Sequence, residues 1–242
     1  LSTADAAAAL QGKVSGVNVL TNASPGSGAD IRVRGYSSNS EYIAPLYIVD
    51  GLQVSSIQYL DPQTIESIEI LKDAASAAIY GAEAGNGVVL VTTKKGDEGK
   101  VSVSYTGRAT LQNFTNRPLL DRQDFLKYMT YEYGEKDVNN KLSDFDYKHP
   151  YYGNGVIDQD WIDAYIEPTW SQQHTVSFSG GNSKGHFFSS LNYVYTNGVV
   201  KGDKDSYKRL TAQVNADYNL FKWLQVGSNN SIEKWYTKSV SQ

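Results

Sequence analysis

Two stretches of strict polar and apolar alternation constrain this chain more than any other feature. From Val101 the odd positions Val101, Val103, Tyr105, Gly107, Ala109 and Leu111 oppose Ser102, Ser104, Thr106, Arg108, Thr110 and Gln112, a period of two that an extended strand turns into two faces. The pattern returns with Leu210, Ala212, Val214, Ala216, Tyr218 and Leu220 against Thr211, Gln213, Asn215, Asp217 and Asn219. Weaker versions cover Gln173 to Ser179, Phe187 to Thr196 and Trp223 to Trp235, so about five long strands are expected.

Length and polarity point these strands toward a bilayer. Strands in soluble sheets average roughly 5–6 residues, whereas a tilted strand crossing a membrane takes about 9–11, the length of the two clean runs. The face opposite the apolar one is rich in hydroxyls and amides, as a wall lining water requires. A soluble sandwich with apolar residues inside satisfies the alternation equally well. Connections favour the barrel: if the strand at Val101 rises from the inner side, the link Asn113 to Ser171 is external, Gly180 to Gly185 is a short inner turn, Asn197 to Ser206 is external and Phe221-Lys222 is a tight inner turn.

The first hundred residues read differently. Ile65 to Leu71 and the β-branched run Val88 to Thr93 are expected strands, as are Leu46 to Val49, ahead of an Asp50-Gly51 turn, and Asp30 to Gly35, where Ile31 and Val33 alternate with Arg32 and Arg34. Ala4 to Lys13 reads as a helix, and so does Ala74 to Tyr80, with Asp73 as N-cap and Gly81 as the residue that ends it. One α/β unit accommodates all of them.

Composition sets outer bounds. The 242 residues carry a net charge of -4 and no basic stripe, so nothing suggests a nucleic-acid partner. With no Cys, disulfides, thiolate metal sites and Cys nucleophiles are excluded. No apolar run is long enough for a transmembrane helix, mean hydropathy is -0.44, and Leu1 opens no signal peptide. Five strands would leave two open edges whose backbone groups lipid cannot satisfy, so the sequence is expected to be part of something larger.

The blocks ALQGKVSGVNV (Ala9 to Val19), SPGSGADIRVRG (Ser24 to Gly35), PLYIVDG (Pro45 to Gly51) and the run from Leu46 to Gly96 resemble, in order, the plug of TonB-dependent outer-membrane transporters, specifically the SusC/RagA family. DWIDAYI (Asp160 to Ile166), HTVSFSGGN (His174 to Asn182) and YKRLTAQVNADYNLFKWLQVG (Tyr207 to Gly227) resemble that family's first barrel strands. The resemblance implies a small α/β plug domain over residues 1–98. It also implies, over 99–242, the opening antiparallel transmembrane strands of a barrel of roughly 22, with a long external loop at 113–171. It further implies active import of a glycan or peptide across the outer membrane of a Gram-negative bacterium, with no enzymatic activity and no cofactor. The implied partners are a SusD-like surface lipoprotein and TonB, energised by the ExbB–ExbD complex.

Two sets of residues are expected to serve that function. Arg32 and Arg34 want carboxylates, on the barrel wall or among Glu66, Glu69 and Asp73 within the plug, since a buried guanidinium left alone is costly. Tyr36, Asn39 and Tyr42 of one plug loop, and Tyr151, Tyr152 and Trp161 of the long link, carry aromatic and amide groups suited to sugar faces or peptide planes. The alternative is that such aromatics pack loop on loop or form an interfacial girdle. His149, His174 and His186 lack metal-ligand spacing. Asp158, Asp160, Asp163 and Glu167 resemble the paired acids of a glycosidase only loosely and read better as a solvated loop. A soluble carbohydrate-binding β-protein is the alternative to a transporter.

Overall fold

The structure is a computed structural model and describes residues 5–21, 24–33, 44–73, 78–113, 115, 120–134, 160–202 and 204–239. Three sheets hold its strands. In the N-terminal part, β1 (Val17–Leu20) pairs antiparallel with β2 (Asp30–Val33), and a mixed sheet of order β4-β3-β6-β5 joins β3 (Leu46–Val49), β4 (Leu52–Val54), β5 (Ile65–Leu71) and β6 (Val88–Thr93). β3 and β6 lie parallel at the centre. All four residues of β3 are buried, one face against Val89, Val91, Ile31, Ile57 and Leu60 and the other with Ala84 and Val88, which explains why its sequence is apolar without alternation.

Turn chemistry fixes two joints. Asp50 and Gly51 both have positive φ, 49° and 85°, and join Val49 to Leu52 as a two-residue hairpin whose twist suits the strands. Gly87 enters β6 at φ 92°, and a Cβ there would press on Val33 at 3.1 Å. Residue and conformation are both dictated by the approach of β2.

The C-terminal strands form a plain meander. β7 (Gly99–Gln112), β8 (Thr169–Asn182), β9 (Gly185–Asn197), β10 (Ser206–Phe221) and β11 (Leu224–Lys238) follow one another in sheet order, antiparallel throughout. Burial is inverted relative to a soluble sandwich. Leu191 and Val214 are 50% and 47% exposed, whereas Asn192, Thr175 and Asn215 are 1%, 3% and 3% exposed against the N-terminal elements. These elements and strands belong to one compact unit, residues 1–111, 169–198 and 203–242. A second unit, residues 112–168 and 199–202, contains helices Arg122–Tyr133 and Trp161–Tyr165, capped by Asp121 and Asp160, and an Ile166–Val200 bridge.

Several expectations are corrected. The meander strands run 13 to 16 residues rather than about 9–11, because pairing continues where both faces are polar, as from Ser206 to Arg209. The inner turns are Ser183-Lys184 and Lys222-Trp223, β11 begins at Leu224 rather than Trp223, and the first long link ends before Thr169. Among the described residues of the expected helix Ala4 to Lys13, the helical structure is a 3-10 turn, Ala8–Leu10, because the path ends at Gln11, with ψ 123°, and Gly12 follows with a positive φ of 72°. Of the expected helix after Asp73, the residues described form a 3-10 turn, Ala78–Tyr80, and 74–77 lie outside the described residues. β1 and β4 were not expected, since four and three residues are too few to display a period.

Candidate functional site

The N-terminal elements and the meander meet along a seam built around two carboxylates. Asp61 precedes Pro62 and caps the 3-10 turn Pro62–Thr64, its Oδ1 accepting from the Gln63 N–H at 3.0 Å, while Thr64 Oγ1 donates to the Asp61 carbonyl. That cap aims the rest of the carboxylate at the meander. Thr175 Oγ1 and Asn192 Nδ2 donate to Oδ2 at 2.6 and 2.8 Å, and Gln173 Nε2 lies 3.4 Å from Oδ1. Asn192 Nδ2 also reaches Thr175 Oγ1 at 2.8 Å, and Arg108 Nη1 donates to Gln173 Oε1 at 3.1 Å. At 2% exposure, Asp61 is a buried charge satisfied by dipoles, with the Arg108 cation one residue removed.

Asp50 organises the second anchor. Its left-handed backbone turns Oδ1 to the Thr93 N–H at 2.8 Å and Oδ2 to Thr93 Oγ1 at 2.6 Å and Asn229 Nδ2 at 3.2 Å. Asn215 Nδ2 then donates to Thr93 Oγ1 at 2.8 Å and to the Lys94 carbonyl at 2.9 Å. Arg209 Nη1 donates to the Gln58 carbonyl from the neighbouring stretch of β10. Directly after Lys94 and Lys95, Gly96 lies against the β8–β9 backbone, and a Cβ there would overlap the Phe187 and Gly180 carbonyls.

Such a seam holds firmly yet separates cheaply. Bonds to a carboxylate are stronger than neutral pairs, and neutral donors that lose it can turn to each other or to water without leaving a second charge uncompensated. Thr175 and Asn192 are already paired with each other. Beside the seam, a cavity of about 760 Å³ is lined by Gln58, Tyr59, Tyr207, Arg209, Glu233 and Trp235 among others. Burial, reinforced by the Asp50 and Glu233 carboxylates, raises the Tyr59 hydroxyl above its ordinary pKa.

The residues singled out from sequence occupy varied positions. Arg32 is half-buried on β2 opposite Asn18, Glu66 and Glu69 are exposed on β5, and Asp73 is exposed just beyond it. Arg34, Tyr36, Asn39, Tyr42, Tyr151 and Tyr152 lie outside the described residues, and Trp161 opens the short helix that Asp160 caps. Asp160 therefore spends Oδ1 on the Ile162 and Asp163 N–H groups at 2.9 and 3.0 Å, the work of a cap. His174 bonds Tyr105 Oη at 2.8 Å and His186 faces Asp217 at 3.3 Å, and no group of three metal-ligating residues forms among the described residues. Sequence reasoning missed Asp50, Asp61 and their amide and hydroxyl partners. The Asp61-Pro62 pair and the amide-rich alternate positions were the available signals.

Comparison with known proteins agrees with this architecture. The TonB-dependent Receptor Plug Domain family matches residues 2–88. The chain is 36% identical over 229 residues to TonB-dependent receptor P39 of Formosa agariphila, covering 93% of this chain and 21% of that protein. It is 34% identical over 232 residues to TonB-dependent receptor SusC of Bacteroides thetaiotaomicron, covering 91% and 22%. It thus spans about a fifth of the length of these relatives. Among solved structures, the RagAB peptide importer in its closed-closed state superposes with a TM-score of 0.81 at 26% identity, over 99% of this chain and 30% of that one.

Proposed function

This chain belongs to the SusC/RagA-type TonB-dependent receptors, and on that premise we propose that the full-length protein imports a glycan or peptide across the outer membrane of a Gram-negative bacterium. Residues 1–98 act as the plug and 99–242 as the opening strands of the barrel around it. The observation that carries this reading is the inverted burial of the meander, with Leu191 and Val214 outward and Asn192 and Asn215 inward on the plug. The dipole-held carboxylates Asp61 and Asp50 seat the plug until TonB, driven by ExbB–ExbD, pulls it from the inner side. A SusD-like lipoprotein covers the external mouth. Arg32 and Arg34, with Glu66, Glu69 and Asp73, supplement the seating as ion pairs. Tyr36, Asn39, Tyr42, Tyr151, Tyr152 and Trp161 contact the incoming substrate.

Growth of cells on single oligosaccharides or peptides as sole nutrient, with and without the gene, tests the proposal. Loss of growth on one nutrient class that returns with the wild-type gene but not in a strain lacking TonB supports it. Unchanged growth on every class rejects it.

A further inference from the structure

The outward wall of the meander is electrically lopsided. The five strands contain two acidic residues, Asp217 and Glu233, and both occupy inward positions in register with His186 and Thr211. On the outward positions no Asp or Glu occurs, while Lys208, Lys234 and Lys238 sit on three successive outward-facing register rows. Lys208 stands opposite Tyr236 and Tyr195, Lys234 opposite Leu210, and Lys238 opposite Ser206. Lys208 Nζ lies 5.2 Å from the Tyr195 ring centroid and Lys234 Nζ 5.4 Å from that of Tyr236.

All three rows lie at one end of the sheet. It is the end from which the long connections, residues 113–168 and 198–205, depart, while the two-residue turns close the other. Under the membrane-spanning reading, on which this inference rests, that end is external. The positions between the ends, Ala212, Val214 and Ala216 on β10 for example, are apolar. Lys234 hydrogen-bonds the Tyr236 side chain, yet an ammonium has three N–H donors, and the absence of outward carboxylates leaves the remaining ones without a competing acidic partner on the strands.

We propose that Lys208, Lys234 and Lys238, framed by Tyr195 and Tyr236, bind the phosphate groups of an anionic glycolipid in the outer leaflet. Neutral headgroups need no such belt. The tyrosines place the lysines at headgroup depth, as aromatic belts do elsewhere, and the lysines supply charge to the phosphates.

The test uses the full-length protein in an uncharged detergent, titrated with bisphosphorylated lipid A or its dephosphorylated counterpart and read by native mass spectrometry. The phosphorylated lipid is expected to bind about 100-fold tighter, from the contribution of three lysines near a surface. Lys208→Gln, Lys234→Gln and Lys238→Gln together should erase that preference, and the corresponding triple Arg variant should keep it. If the Gln variant does not assemble, loss of the preference in wild type on raising salt to about 1 M, where charge is screened within a few ångströms, carries the same information. Equal binding of the two lipids, or displacement by millimolar inorganic phosphate, overturns the inference while leaving the barrel intact. Failure of both lipids to bind overturns the inference too, whereas a full-length protein that stays monodisperse in water without detergent would overturn the membrane reading beneath it.

Discussion

Replacing Asp61 by Ala in the full-length protein removes the acceptor shared by Thr175, Asn192 and Gln173. Stripping one member from a buried, charge-assisted cluster costs about 3–5 kcal/mol, because the donors left behind have paid their desolvation. Thr175 and Asn192 keep the bond they already share, so the lower end, about 3 kcal/mol, is expected. Asp61→Asn should cost less. Asn192 Oδ1 is buried without a partner, and turning that amide over would let it accept from the amide introduced at position 61. Native-state hydrogen exchange reads the result through the Gln63 and Thr64 amides, which donate to the Asp61 side chain and carbonyl. Their protection should fall by about two decades in Asp61→Ala, and by less in Asp61→Asn, at about 1.4 kcal/mol per decade. A fall of less than about threefold in Asp61→Ala, under about 0.7 kcal/mol on the same scale, would refute the anchor.

Other consequences concern different parts of the molecule. Gly96→Ala should lower the unfolding free energy of the full-length protein by about 1–3 kcal/mol, measured in urea, since a methyl there meets backbone of β8 and β9 rather than a yielding side chain. Val214→Arg, on the outward apolar face, should cost about 2–4 kcal/mol in vesicle-refolding titrations, with Lys234→Arg near neutral. Tyr59 has a raised folded pKa, so the unfolded state ionises first. Stability is therefore complete below the ordinary tyrosine value and declines as pH rises through it, and Tyr59→Phe should flatten that alkaline limb in thermal melts.

What the sequence disclosed and what it hid divide along physical lines. Ile65–Leu71 and Val88–Thr93 were legible to the residue, because β-branched runs closed by turn residues have few other outcomes. The five meander strands were legible because side-chain alternation is the same in any environment. Alternation alone did not say which face met protein, and the burial of Asn192 beside the exposure of Leu191 answers that. Helix propensity misled at Ala4 to Lys13, where alanines promise a helix that breaks at Gln11 and Gly12. Asp61 and Asn192 are 131 positions apart, and nothing local marks one as the acceptor of the other. Arg32 drew attention by its charge, yet the contacts along the seam run largely through amides and hydroxyls, groups too common in sequence to single out.

The orientation of the two strand faces admits a direct measurement. This stretch contains no Cys, so single cysteines at Val214 and Leu191, and at Gln213 and Ser190, can carry nitroxide labels in the full-length protein reconstituted in liposomes, other cysteines removed. Labels at Val214 and Leu191 should collide with dissolved oxygen, which concentrates among acyl chains, and be shielded from a water-soluble nickel chelate. Labels at Gln213 and Ser190, in the seam, should be sheltered from both. Collision of the Val214 and Leu191 labels with the nickel chelate would contradict the account, because residues facing lipid cannot be wet.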